Sequence, residues 1–221
     1  MSIVRGPQGF FISTLLASET WLSHAFGTAA VAPPHVYLVL KQVHSNVVKL
    51  AGECLPEMEG DGLITNEPGL FVAAKSADCV PLLLADPVNH VVAAVHAGWR
   101  GSLSNIAGAA IARMTNEYGT RPSDLCAALG PSIGPCCFEV GPEVAVLFRD
   151  IFSERDDLDQ RTTVDLWETN CRHLRQAGLL PERIDTPPPC TCCGGEEFYS
   201  WRRDRVLGQR MFAAIGRLPN H

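Results

Sequence analysis

Two apolar runs, CVPLLLA (79–85) and VVAAV (91–95), separated only by DPVNH, constrain this chain more than any other stretch. Runs this short and this apolar read as buried strands, and the Pro- and Asn-containing connector reads as a turn. The pair forms a hairpin. With residues 86–89 as its loop and Ala85 facing His90, Cys79 falls opposite His96 on one face, with Cβ atoms roughly 4.5–5.5 Å apart. Pro81 offers no N–H, so it belongs in a non-hydrogen-bonded pair, the closer-spaced kind, and the Cys79/His96 pair shares that type. A slip of one residue would put the two side chains on opposite faces.

The second strand runs straight into HAGWRG (96–101). Gly98 and Gly101 permit a tight turn that brings backbone close to a neighbour. Ser102 then reads as an N-cap, and apolar positions 103, 106, 107, 110, 111 and 114 recur at helical spacing as far as Gly119. Such a helix aims its free amides back at His96, and with Arg100 they form an anion site. Trp99 supplies a flat apolar wall or simply joins the core.

Elsewhere, VYLVL (36–40), LFVAA (70–74) and LCAAL (125–129) read as strands, and GFFISTLLA (9–17) as the first strand or helix rather than a secretory core. Pro142 is placed to start a helix, and a further helix fits 165–177, closed by Gly178. Strands come first as hairpins and helices arrive late, so the fold class is α+β. No run reaches membrane-spanning length. At 221 residues, 46% hydrophobic and 19% charged, the chain carries enough apolar material for a core and reads as one domain, 1–221. A net charge of −6 argues against nucleic acid as the main partner while leaving room for a local cationic pocket. The cytoplasm is the expected compartment.

Nine cysteines in such a chain favour metal or catalytic roles over disulfides. Cys79 beside His96 suits nucleophilic catalysis or metal binding, and KQVHSNVV offers His44 as a third ligand. Two histidines and one cysteine suit zinc or copper better than calcium or magnesium. The alternative is two hydrogen-bonded strand-end histidines and a core cysteine. Cys190, Cys192 and Cys193 in PPPCTCCGG, with Cys136 and Cys137, make either a structural zinc site or a loop with incidental thiols. Arg202, Arg203 and Asp204 read as an ion-pair network, with either arginine as an outside candidate for substrate contact. Asp78 reads as a hydrogen-bond anchor. His24, His35, His90, His173 and His221 have no constellation around them.

Six stretches, KQVHSNVV, DGLIT, SADCVPLLLADP, AAVHAGWRG, GPSIGPCCFEVGPEV and FYSWRRD, resemble the laccase-domain (YfiH-like) family, over the chain from about His24 to the C-terminus. The family is described both as multicopper polyphenol oxidoreductases and as purine nucleoside phosphorylases with adenosine deaminase activity. The resemblance implies a four-layer α/β/β/α sandwich of mixed and antiparallel sheets between helical layers. It implies His44, Cys79 and His96 as the metal-binding and catalytic trio, holding zinc or, alternatively, copper. It implies adenosine, inosine or methylthioadenosine with phosphate as substrates, and the anion site read above at Arg100 is the expected phosphate contact. A copper-dependent phenol oxidase and a non-catalytic metal-binding protein are the competing readings. Two departures stand out: Ala29 replaces an arginine implied in substrate binding, within a shortened connection, and VLGQRM replaces the usual Thr-Gly-Arg-Gln. If one ion binds the trio, the three ligand atoms should lie within roughly 4–5 Å of one another.

Overall fold

The computed structural model describes residues 2–219. Its elements, in chain order, begin with β1 (Ile3–Arg5), β2 (Phe11–Ser13), β3 (Leu22–Phe26), β4 (Tyr37–Leu38) and β5 (Val48–Leu50). There follow β6 (Gly62–Thr65), β7 (Phe71–Ser76), β8 (Val80–Asp86), β9 (Val91–Ala97), α1 (Trp99–Leu103), α2 (Ile106–Tyr118) and β10 (Cys126–Leu129). The chain then forms β11 (Glu139–Val140), α3 (Pro142–Ala145), β12 (Thr162–Thr163), α4 (Leu166–Gln176), β13 (Ile184–Asp185), α5 (Trp201–Asp204) and β14 (Met211–Arg217).

Two six-stranded mixed sheets carry the fold, in the orders β1-β2-β3-β14-β7-β4 and β13-β10-β8-β9-β6-β5. The apolar hairpin sits in the middle of the second sheet, which explains its composition. Leu83, Ala85, Val92 and Ala94 face the first sheet, where they meet Phe26, Val72, Ala74, Ala213 and Ile215. Val80, Leu82, Leu84, Ala93 and Val95 face the helices and meet Ile106, Ala110, Met114 and Leu174. Each fully buried Leu or Val here contributes about 1.5–3 kcal/mol of transfer free energy. The α+β class follows from this arrangement.

The hairpin loop differs from the sequence expectation. Asp86 faces Val91, so the loop is 87–90 and Pro81, not Cys79, pairs with His96. The cause is Asp86 itself: its buried carboxylate accepts the amides of Val88 and Asn89 at 2.9 and 3.0 Å, closing the turn one residue later at each strand end. The slip is two residues, so face parity survives. Pro81 keeps its place in a non-hydrogen-bonded pair, because the His96 amide donates instead to the Asp61 carbonyl, at 2.7 Å.

The helical region also divides differently. Gly98, not Ser102, caps α1, and the chain breaks at residues 104–105. Asn105, with φ +52°, then caps α2 by accepting the Gly108 amide. Ser102 is buried within α1, where its hydroxyl accepts from Asn170 Nδ2 at 2.9 Å. The α4 helix starts at Leu166 behind an Asp165 cap, and Gly178 follows it at φ +107°.

The α-helices that cover a sheet pack on the second one. Residues 27–36 cover the outer face of the first: His35 stacks on Phe71 at 3.8 Å, and Val31 and Pro33 crowd Gly27. This stretch, GTAAVAPPHV, is short and contains Pro33-Pro34, which does not continue a helix. No helix of the described residues is long and apolar enough to cross a membrane.

Candidate metal centre and cavity

Cys79 and His96 share the parity of Leu83 and Ala94, so they lie where the space between the two sheets opens at the strand ends. His44 reaches them from the loop between β4 and β5. Its backbone is held at φ +61°, a left-handed conformation rarely adopted by histidine, by hydrogen bonds from neighbouring amides to one carboxylate. The ligand atoms of His44, Cys79 and His96 all lie within 4.8 Å of one another, as expected for three ligands of one ion. Cys79 Sγ is 3.9 Å from His44 Nε2, and the two imidazoles meet edge-to-face at 4.9 Å.

Asp61 organises this group. Its carboxylate, 3% exposed, accepts from His96 Nδ1 at 2.8 Å, the His44 amide at 3.0 Å, and the amide and hydroxyl of Ser45 at 2.7 Å each. The bond to Nδ1 leaves His96 Nε2 to face the cluster, the arrangement by which a carboxylate orients a metal-bound histidine. Burial alone would raise the Asp61 pKa, but hydrogen bonds from His96 and Ser45 outweigh it and bring it to about 2. Burial would likewise raise the Cys79 thiol. The charge of His96 and hydrogen bonds from both histidines lower it instead, to about 6. His96 moves the other way: burial opposes its charge, but Cys79 and Asp61 raise it to about 9. Each of the two groups thus favours the charged form of the other, the thiol lowered by His96 and the imidazole raised by Cys79 and Asp61. Two imidazole nitrogens and a thiolate, with the carboxylate behind them, fit zinc or copper.

Gly98 answers why the strand ends in a glycine-rich turn. A Cβ there would lie 2.9 Å from His44 Cδ2 and 3.0 Å from Cys79 Sγ, so only glycine lets the backbone pass this close to the trio.

A cavity of about 660 Å³ opens over the three ligands. Its walls include Lys41, Lys75, Arg100, Arg202, Arg205 and Arg210, six cations in a chain of net charge −6. Arg100 stacks on Trp99 at 4.2 Å and pairs with no carboxylate among the described residues. Trp99, Ile133, Phe138, Leu166 and Trp201 provide apolar wall. The first helical turn beside the cavity is that of α1, so the free amides lie at 99–101 and not beyond Ser102.

The sequence reading placed the trio and Arg100 together, and the structure brings them to one cavity. Arg202 lines it, while Arg203 pairs with Asp204 and holds the Thr191 and Phe198 carbonyls. Asp78 is an anchor, accepting from Thr191 Oγ1 and the Arg202 amide at 2.6 Å each. The reading gave no role to Asp61, Lys41, Lys75, Arg205 or Arg210. The one available signal was an acidic residue ahead of the apolar strand in DGLIT. Ala29 does not line the cavity; its amide donates to the Glu197 carbonyl at 2.9 Å. His24, His35, His90 and His173 are dispersed: His24 accepts the Ser13 amide, and His90 stacks on Trp21. His221 lies outside the described residues.

Among known proteins, a family model described as multi-copper polyphenol oxidoreductase laccase matches residues 22–217. The chain is 36% identical over 171 residues to the human protein named purine nucleoside phosphorylase LACC1, covering 75% of this chain and 40% of that protein. It is 39% identical over 163 residues to the Geobacillus stearothermophilus protein named purine nucleoside phosphorylase YlmD, covering 71% and 60%. The chain thus spans 40–60% of the length of these relatives. The crystal structure of YlmD from Geobacillus stearothermophilus superposes with a TM-score of 0.85 at 26% identity, over 98% of both chains.

Proposed function

This chain belongs to the multi-copper polyphenol oxidoreductase laccase family, and from that membership we propose that it is a metal-dependent purine nucleoside phosphorylase. The observation that carries the reading is a cationic cavity set directly over the His44–Cys79–His96 trio. Phosphate requires cations, a purine requires flat apolar wall, and both are present around the same ligands. Names given to the relatives support the same activity.

His44, Cys79 and His96 would hold the ion, zinc first and copper as the alternative, leaving one position open. The bound ion supplies Lewis acidity at that position. Arg100, with Lys75 and Arg202 of the same cavity wall, would hold phosphate against the ribose. A phosphate oxygen forms the new bond to the anomeric carbon as the bond to the purine nitrogen breaks; the base leaves with the electron pair and takes up a proton. Charge developing on phosphate and base is met by fixed cations in a partly enclosed site, where they act most strongly. Asp61 keeps His96 oriented throughout.

The substrates under this reading are adenosine, inosine and methylthioadenosine, with hydrolytic removal of the adenosine amine as a second activity. The reading treats residues 1–221 as one catalytic domain acting in the cytoplasm on small molecules, with neither nucleic acid nor membrane as partner. A phenol oxidase of the multicopper kind needs several histidine-rich sites, and the remaining described histidines do not gather into one. The test is a nucleoside panel with and without phosphate, supplemented with zinc or copper. Phosphate-dependent release of free base supports the reading, and inosine formed from adenosine supports the deaminase activity. No base from any nucleoside under either metal overturns the phosphorylase.

A further inference from the structure

A second thiol cluster lies in two loops, one of which also carries Ile133 and Phe138 of the cavity wall. Cys136 and Cys137 sit in the loop after β10, and Cys190 and Cys193 in the loop before α5. The two loops are stitched together at Ser132 and Cys190, where the Ser132 amide donates to the Pro189 carbonyl and the Thr191 amide to the Ser132 carbonyl. All four sulfurs lie within 4.8 Å of one another. Cys193 Sγ is 3.4 Å from that of Cys136 and 3.1 Å from that of Cys137.

We infer that Cys136, Cys137, Cys190 and Cys193 form a second, closed metal site that takes a soft tetrahedral cation, zinc, through four thiolates. The spacing fits this occupant. Four sulfurs about 2.3 Å from a central zinc stand roughly 3.8 Å apart, inside the range observed. None of the pairs is a disulfide, which requires about 2.05 Å; all nine cysteines are free.

Cys190 Sγ accepts the Gly134 amide at 3.2 Å, a bond from one ligand loop to the other. Gly194 makes the turn possible: a Cβ there would stand 2.9 Å from the Cys190 carbonyl. A zinc with four thiolates carries a net charge of −2, and two guanidiniums flank the ligand loops. Arg202 Nη1 donates to the Cys137 carbonyl at 3.3 Å, and Arg203 Nη1 to the Cys192 carbonyl at 3.2 Å.

With four protein ligands no position remains for substrate, so this ion is structural. What it fixes is the cavity wall. Phe138 follows Cys137 directly, Arg202 rests on the same loop, and Thr191, inside the Cys190–Cys193 turn, holds Asp78 next to Cys79.

The experiment is a metal count on the full chain, prepared under reducing conditions and dialysed free of loose ions. The wild type is expected to retain two metal equivalents, Cys79→Ala one, and the Cys190→Ser/Cys193→Ser double variant one. Cobalt loaded into Cys79→Ala gives a readout that does not require the double variant to fold. Sulfur-to-cobalt charge-transfer absorption should persist there, since the only thiolate of the first site is gone. A single equivalent in the wild type that disappears in Cys79→Ala would overturn the inference. So would loss of the charge-transfer band in that variant, or a Cys137–Cys193 or Cys136–Cys193 disulfide found by mass spectrometry in the reduced preparation.

Discussion

Two thiol-containing clusters occur in this molecule, and their ligand sets differ in one respect that decides the roles proposed for them. The first offers three donors, His44, Cys79 and His96, at the floor of a cationic cavity. The second offers four, all cysteines, in two loops, one of which also supplies Phe138 to the cavity wall. Three donors leave a coordination position for substrate, whereas four close the shell. The supports differ accordingly. Asp61 orients an imidazole of the first by its far nitrogen, while the Gly134 amide holds Cys190 of the second. On the proposed reading, the site that exchanges ligands is held by a buried carboxylate and a histidine with positive φ, and the site that does not is held by turns.

The sharpest way to break the comparison is Cys79→Ala. Removing one of three donors should lower phosphorolysis by more than the ~100-fold that loss of an outer partner produces, while the second site keeps its metal. The Cys190→Ser/Cys193→Ser variant should do the reverse, retaining the trio's metal and measurable turnover while losing thermal stability. Asp61→Asn is next in size. It keeps the side-chain shape but weakens the orientation of His96 and His44, and should cost ~10–100-fold in metal affinity or kcat/KM. Metal titration monitored by activity distinguishes the two.

Arg100→Ala should raise KM for phosphate by about tenfold or more, the value of one charge-assisted hydrogen bond, and change kcat less. A change confined to nucleoside KM would place the phosphate elsewhere in the cavity.

The smallest expected effects are those of pH on the metal-free protein. Asp61 has a folded pKa of about 2 against an ordinary 3.8, so its contribution to stability is present above pH 4 and lost as pH falls through 2. Acid unfolding followed by circular dichroism should show that loss in the wild type and a flatter profile in Asp61→Asn. Cys79, lowered to about 6, should be alkylated at pH 7 far faster than Cys126 or Cys171, whose thiols burial raises. Zinc should protect it.

How much of this could be read from the sequence depends on which elements supply each part. Cys79 and His96 lie at the ends of one apolar hairpin, and period-two alternation kept them on one face although the pairing slipped by two residues at Asp86. A slip of one would have separated them. The cationic wall could not be read this way: Lys41, Lys75, Arg205 and Arg210 come from separate segments, and no local pattern joins them. Asp61 was hidden for a related reason. Its partners are backbone amides at 43–45 and an imidazole 35 residues away, neither of which has a spacing rule. The helix start moved from Ser102 to Trp99 because Gly98 had to pass beside the trio, a tertiary demand that outweighed the better capping residue.

The central claim, that the three-donor site releases purine from nucleoside by means of phosphate, is tested most directly with inosine. Metal-replete wild type should yield hypoxanthine and ribose 1-phosphate in equal amounts, only when phosphate is present, and Cys79→Ala should yield neither. Hypoxanthine released without phosphate, released equally by Cys79→Ala, or absent under both zinc and copper would contradict the account.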